Sequence, residues 1–432
     1  MQKRIALMFL AACLCVGQLS AQRIAGLMQC LYERPEHVYQ LLIADRADSI
    51  LALATNEFRA VVTPQALTGV VTAVEEKLGK LQMAEQWTKK EVSPDYDTFV
   101  RQLLFGSYRV PLTVSFDRNN RVAGLQMGAP QIVDDNPLAE NERELTVETD
   151  GFRMPARLML PSVAGESPQE ASRKWPCVVL VHGSGPSNMN EAAGAQKPFL
   201  DLARGLSERG IAVLRYDKRT FVYREKSVPA GKKSDYDAET VDDALSAVVL
   251  ARRQAEVCAD SVYVVGHSLG AMLAPRIAEL DGKLAGIVCL APPARKFREI
   301  LCEQMAYLSG ENEAQVKAQV DAVAAQLGAD YMEMDERYSP VDVAKTLNIP
   351  MLVLRGERDY QVTSADFNLW KSGVGGRPNV FLKAYPRLNH FFTEGDGRPS
   401  PAEYNLPNHI PAFVLDDIAT FLKCGKLIIN NH

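Results

Sequence analysis

Apolar and polar positions change rhythm near residue 140. From Arg23 to about Gly106, apolar residues recur mostly at helical spacing, with short breaks. Val110 to Phe116 then alternates as a strand does, Asp117-Arg118-Asn119-Asn120 reads as its turn, and Arg121 to Met127 as the returning strand. Helices followed by a hairpin predict a small α+β domain over residues 22–130. The polar, proline-containing stretch from Pro130 to Glu142 marks a linker, placed at 131–144.

From Leu145 onward short apolar runs alternate with helical stripes. An entry hairpin turns at Asp150-Gly151. Val178 to Val181 reads as a buried strand that stops at His182-Gly183-Ser184-Gly185-Pro186. Phe199, Leu202, Ala203 and Leu206 mark one helical face, and Gly210 suits its end. Further strands are expected at Ile211–Tyr216, Val262–Val265, Leu284–Leu290, Met351–Leu354 and Val380–Leu382, with a closing helix at Ala412–Lys423. Thr240 is the expected cap of the helix carrying Leu245, Val248 and Val249. Strand–helix alternation over 145–425 predicts a doubly wound, mostly parallel sheet. One stretch, 294–340, lacks a strand and reads as two helices inserted over the strand ends as a cap. Pro275 falls inside the helix after residue 268, where a kink is expected.

Composition adds exclusions. The chain of 432 residues is 47% apolar and 23% charged, with a formal net charge of −5, and it has no basic stripe suited to nucleic acid. Lys3 and Arg4, the apolar run Ile5–Val16 and Leu19-Ser20-Ala21 predict an export signal over residues 1–21 and a periplasmic or extracellular location. Leu10-Ala11-Ala12-Cys13 supports the alternative of a lipoprotein anchored through Cys13 to an outer leaflet. An apolar run of twelve is too short to cross a hydrocarbon core of about 30 Å. Of eight cysteines, Cys177 and Cys289 sit in apolar strand-like runs as core residues, and no pair has metal-binding spacing.

Gly266-His267-Ser268-Leu269-Gly270 carries the chemistry. A strand before it and a helix after it create a tight turn that presents the Ser268 hydroxyl. A serine needs a base, and the base an orienting carboxylate. Among six histidines, His37 and His432 lie near the ends, His182 follows an early strand, and the His267 side chain is expected to point away from Ser268. His390 follows the last strand at the right sheet end and is preferred over His409. Asp359 lies between Ser268 and His390 in chain order, with Glu357 as local rival and Asp217 as distant one. Asp217 is better explained by a salt bridge to Lys218 or Arg219. The two backbone donors for a developing oxyanion are expected from Leu269 and Ser184, with Gly183 the alternative to Ser184.

These residues resemble the α/β-hydrolase superfamily. Val179 to Pro186, Gly210 to Thr220, Gly266 to Pro275, Arg355 to Val362 and Leu388-Asn389-His390 are similar to bacterial esterase-like serine hydrolases with an extra N-terminal domain. The resemblance implies hydrolysis of small carboxylic esters through an acyl-enzyme on Ser268, with Asp359 and His390 completing the triad and neither metal nor organic cofactor. It also implies a small N-terminal domain of NTF2-like or cystatin-like shape. A serine peptidase or amidase on the same fold, and an envelope binding protein with an incidental hydrolase core, are the competing expectations.

Overall fold

A computed structural model describes residues 32–427, apart from 94, 107, 133–136, 162–172 and 229–230. The expected export segment at 1–21, with its Cys13 box, lies outside the described residues. The chain divides into two compact units, Met1–Val133 and Asp134–His432.

The first unit is α+β, with a different boundary between its halves than the apolar rhythm suggests. Helices α1 (32–43), α2 (Ala47–Ala52), α3 (Asn56–Val61), α4 (Pro64–Leu67) and α5 (Val70–Leu78) end well before Gly106. Strands β1 (Leu81–Ala84), β2 (Thr88–Ser93) and β3 (Tyr96–Phe105) follow, in place of the expected helix. They join β4 (Tyr108–Phe116), β5 (Val122–Met127) and β6 (Gln131–Ile132) in a six-stranded antiparallel sheet. The misreading has a physical source in β3. Phe99, Arg101, Leu103 and Phe105 share its buried face, so a charged residue interrupts the apolar alternation. Arg101 is tolerated there because its guanidinium lies 4.5 Å from the Tyr39 ring centroid and 4.8 Å from that of Trp87, and donates to Glu36 at 2.8 Å.

The second unit is built on an eight-stranded sheet. Its strands are β7 (Glu142–Thr149), β8 (Phe152–Met159), β9 (Trp175–Val181), β10 (Ala212–Tyr216), β11 (Val257–His267), β12 (Gly286–Leu290), β13 (Met351–Gly356) and β14 (Val380–Tyr385). Their spatial order is β14-β13-β12-β11-β9-β10-β8-β7. The β7–β8 hairpin is antiparallel and pairs antiparallel to β10, and every other pairing is parallel. Both the expected linker and the expected start at 145 shift, since β6 occupies 131–132 and β7 begins at Glu142.

Helices cover both faces, which is why β9 and β12 are continuously apolar. Val178 and Leu180 point toward Phe199, Leu202 and Leu206 of α6 (Pro198–Glu208) and Ile418 and Phe421 of α15 (Ala412–Cys424). Cys177, Val179 and Val181 face Ala244 and Val248 of α8 (Asp242–Arg252) and Leu273 and Ile277 of α9 (Leu269–Asp281). Thr240 does not cap α8. It is buried in a π-helical turn, Asp237–Val241, that leads into the helix, so the chain is already coiled where a cap was expected. Helix α9 runs through Pro275 without ending, and the Tyr338 hydroxyl donates to the Met272 carbonyl at 2.8 Å, beside the turn that the proline disturbs. The insertion holds three helices rather than two: α10 (Phe297–Ser309), α11 (Glu313–Leu327) and α12 (Ala329–Arg337). Short helices α7 (Arg219–Tyr223), α13 (Pro340–Thr346) and α14 (Ser364–Val374) follow β10, the insertion and β13 in turn.

One charge pair sits inside the antiparallel half of the sheet. Arg215 of β10 and Glu142 of β7 are both fully buried and meet at 2.6 Å, with Arg157 of β8 at 3.7 Å from the same carboxyl group. Removing one partner of such a pair is costly because the other charge stays out of water. Glu142→Leu is expected to lower unfolding free energy by about 3–5 kcal/mol in urea titration, and a loss below about 1 kcal/mol would show that the pair does not support the sheet.

Candidate functional site

Ser268 sits between β11 and α9 at φ 51 and ψ −117, a conformation that side chains rarely adopt. Two glycines permit the turn. A Cβ on Gly266 would lie 2.2 Å from the Gly270 carbonyl oxygen, and one on Gly270 would lie 2.1 Å from that of Val181. The turn therefore packs backbone to backbone against the end of β9. The Ser268 N–H donates to the Leu290 carbonyl at 2.9 Å, which fastens the turn to β12 as well.

Asp359 and His390 meet at the same sheet end. His390 Nδ1 lies 2.7 Å from Asp359 Oδ2, with both residues buried. Asp359 Oδ1 accepts the backbone N–H groups of Gln361 at 2.8 Å and Val362 at 3.0 Å, which orients its carboxylate. A Cβ on Gly356, at the end of β13, would lie 2.3 Å from the Leu388 carbonyl oxygen, so the two loops cross in direct backbone contact. The rivals are placed elsewhere. Glu357 is exposed, and the exposed His409 pairs with Asp201 at 2.8 Å. His37 is exposed in the first unit. Asp217 accepts the Met189 N–H at 2.7 Å, while Lys218 and Arg219 are held by Glu239 and Asp243.

The loop after β9 forms the opposite wall. Gly183 N–H donates to Glu191 Oε1 at 2.7 Å, so that donor is occupied and cannot also serve an oxyanion. The Gly183 carbonyl accepts from Lys218 Nζ at 2.8 Å, and Lys218 also meets Glu239 at 2.5 Å. The peptide between Gly183 and Ser184 is trans, so its N–H points opposite to its C=O. A buried lysine on the carbonyl thus turns the Ser184 N–H away from Lys218. Ser184 and Leu269 line one cavity with Ser268. His182, behind the loop, contacts the Asn188 carbonyl at 3.1 Å, and burial pushes it down to about 4, so the ring is neutral at pH 7.

The inserted helices close this end. The cavity at Ser268 has a volume of about 150 Å³, and Met272, Phe297, Ile300, Leu301 and Val362 make most of its walls apolar. A wider groove of about 600 Å³ shares Ser184, Phe297, Leu301 and Tyr331 with it and adds Thr220, Arg224, Asp235 and Glu239. The cap is tied down at both ends. Asp366 accepts the N–H groups of Ala294 and Arg295 at 2.9 and 3.0 Å, and Lys296 Nζ donates to the carbonyls of Asp335, Glu336 and Tyr338 at the end of α12.

Of three buried groups here, sequence reasoning names His267 and Lys218 without a role in the site and misses Glu191 altogether. Lys218 had a signal, since a lysine in an apolar strand-end context requires a partner. Glu191 had none, because nothing local ties it to residues 183 or 267.

Residues 178–405 match the alpha/beta hydrolase family. The chain is 34% identical over 406 residues to Esterase EstD of Thermotoga maritima, covering 89% of this chain and 93% of that protein. Among solved structures, the Pyrococcus furiosus esterase PF2001 aligns with TM-score 0.42 at 18% identity over 59% of this chain and 86% of that one. Est1E from Butyrivibrio proteoclasticus aligns with TM-score 0.43 at 16% identity over 65% of this chain and 98% of that one.

Lys218→Met leaves the Gly183 carbonyl unheld and frees the Ser184 N–H to rotate. Labelling of Ser268 by a fluorophosphonate is expected to slow by about 10²-fold, the scale of losing one oxyanion donor, in a variant that stays folded by circular dichroism. An unchanged labelling rate would separate Lys218 from the donor's orientation.

Proposed function

Since the chain belongs to the alpha/beta hydrolase family, we propose that it is a serine hydrolase that cleaves small carboxylic esters through an acyl-enzyme on Ser268. The observation that carries this reading is the 2.7 Å contact between His390 Nδ1 and Asp359 Oδ2 at the sheet end where Ser268 is held at φ 51. His390 Nδ1–H donates to the carboxylate, which leaves Nε2 as the base. In the proposed reaction Nε2 takes the Ser268 proton as Oγ attacks the ester carbonyl. The oxyanion is received by the N–H groups of Leu269 and Ser184. His390 then protonates the leaving alcohol, and a water activated by the same ring releases the acid and restores Ser268. The cavity of about 150 Å³ at Ser268 favours a short acyl chain.

The same proposal includes export. Residues 1–21 serve as a signal removed after Ala21, which puts the enzyme in the periplasm or outside the cell, and the mass of the mature N-terminal peptide checks the cleavage site.

Turnover of p-nitrophenyl acetate, butyrate and octanoate, with aminoacyl p-nitroanilides beside them, tests the reaction. Esterase activity is expected to fall with chain length and to drop to background in Ser268→Ala. Dominant anilide cleavage would make the enzyme a peptidase, and full turnover in Ser268→Ala would refute the assignment.

A further inference from the structure

His267 is buried in the serine turn, and the proposed reaction makes no use of it. Its Nε2 lies 3.0 Å from the His390 carbonyl oxygen. A carbonyl only accepts, so Nε2 carries a proton. On the other side, Nδ1 lies 3.0 Å from Glu191 Oε2, an ion-pair contact rather than a linear hydrogen bond. The second carboxylate oxygen of Glu191 accepts the Gly183 N–H at 2.7 Å. Glu191 itself stands at φ 49, a strained backbone for a non-glycine residue that surrounding contacts have to maintain. The assembly is tightly packed. A Cβ on Gly183 would lie 3.2 Å from Ser268 Cβ, 3.3 Å from Glu191 Oε1 and 3.6 Å from His267 Nδ1.

We infer that Glu191 and His267 form an ion-paired clamp that positions the two halves of the active site together. Through Gly183 it sets the loop that presents the Ser184 N–H, and through the His390 carbonyl it sets the loop that carries the base. Neither residue touches the reacting atoms, so both are positioning residues, and the inference rests on the ester-hydrolase reading of this site.

The charges facing His267 come from every side of the site. Glu191 belongs to the loop after β9, His390 follows β14 with its ring centroid 4.7 Å from that of His267, Asp359 follows β13, and neutral His182 lies beyond Glu191. Burial alone would lower the basicity of His267, but Glu191, the His390 carbonyl and Asp359 together outweigh it and raise it. For Glu191, burial acts upward, and His267 together with its other partners, the Gly183 N–H among them, outweighs that and holds the carboxyl low. A raised folded-state value makes the clamp complete below the ordinary histidine value of about 6.5. The clamp is lost only as pH rises through the higher folded value.

The test pairs histidine ¹⁵N NMR on the full chain, with His267→Gln to assign the ring, with kcat and KM for p-nitrophenyl acetate across pH. Wild type is expected to show both His267 nitrogens protonated at pH 6 and to lose the second proton only at a pH above the ordinary histidine value of about 6.5. In Glu191→Gln the ring becomes neutral, because an amide can still accept from Gly183 N–H and can donate to Nδ1, and most of the activity is kept while the alkaline limb due to His267 disappears. Glu191→Ala is expected to lower kcat about 10²-fold with KM little changed, the scale of a misplaced oxyanion donor. A His267 ring already neutral in wild type at pH 6 would overturn the clamp, as would a folded Glu191→Ala with wild-type kcat. Should Glu191→Ala not fold, Glu191→Gln and the NMR spectrum decide. A wild type that turns over no ester would instead sink the ester reading, and the NMR result would still judge the ion pair.

Discussion

The turn between β11 and α9 exists only because no side chain stands between it and the end of β9. Gly266 and Gly270 let the backbone close to a distance at which a methyl group would lie about 2 Å from a carbonyl oxygen. That contact holds Ser268 in its strained conformation and brings the loop after β9 alongside it. The other functional groups are arranged around this one approach. The inserted helices, the loop after β13 and the loop after β14 all meet at the sheet end it defines.

The loop after β9 shows how buried charge can serve geometry. Gly183 has no side chain, yet its peptide groups are held from both directions, by Glu191 on the N–H and Lys218 on the C=O. Buried charges are costly to keep, and each of these is matched by an opposite charge: His267 for Glu191 and Glu239 for Lys218. A flexible glycine loop becomes a fixed one without any side chain crowding the space that a substrate needs.

The two units differ in how openly they announce themselves. In the second, β9 and β12 are apolar throughout because helices cover both faces, so their runs stand out against the polar turns. In the first, β3 carries Arg101 on its buried face, and the guanidinium is accommodated by Tyr39 and Trp87 from distant parts of the chain. Local periodicity therefore reads the segment from Leu81 to Phe105 as helix where it is sheet.

What the sequence determined by itself is the local turn chemistry around Ser268 and the order of the candidate residues along the chain. Glycine spacing around Ser268, the apolar run before it and the chain order of Asp359 and His390 are local properties, and local properties survive in a single sequence. Tertiary structure decided which of the candidates come together and which lie apart. Glu357 and His409 are exposed, and the Gly183 N–H is taken by a carboxylate eight residues away in the chain. It also decided the pairing of Glu191 with His267, 76 positions apart (267 − 191), which no spacing rule could supply. The physical reason is the same in each case: burial and hydrogen-bond partners depend on packing between segments, whereas turn chemistry and apolar period are set within one.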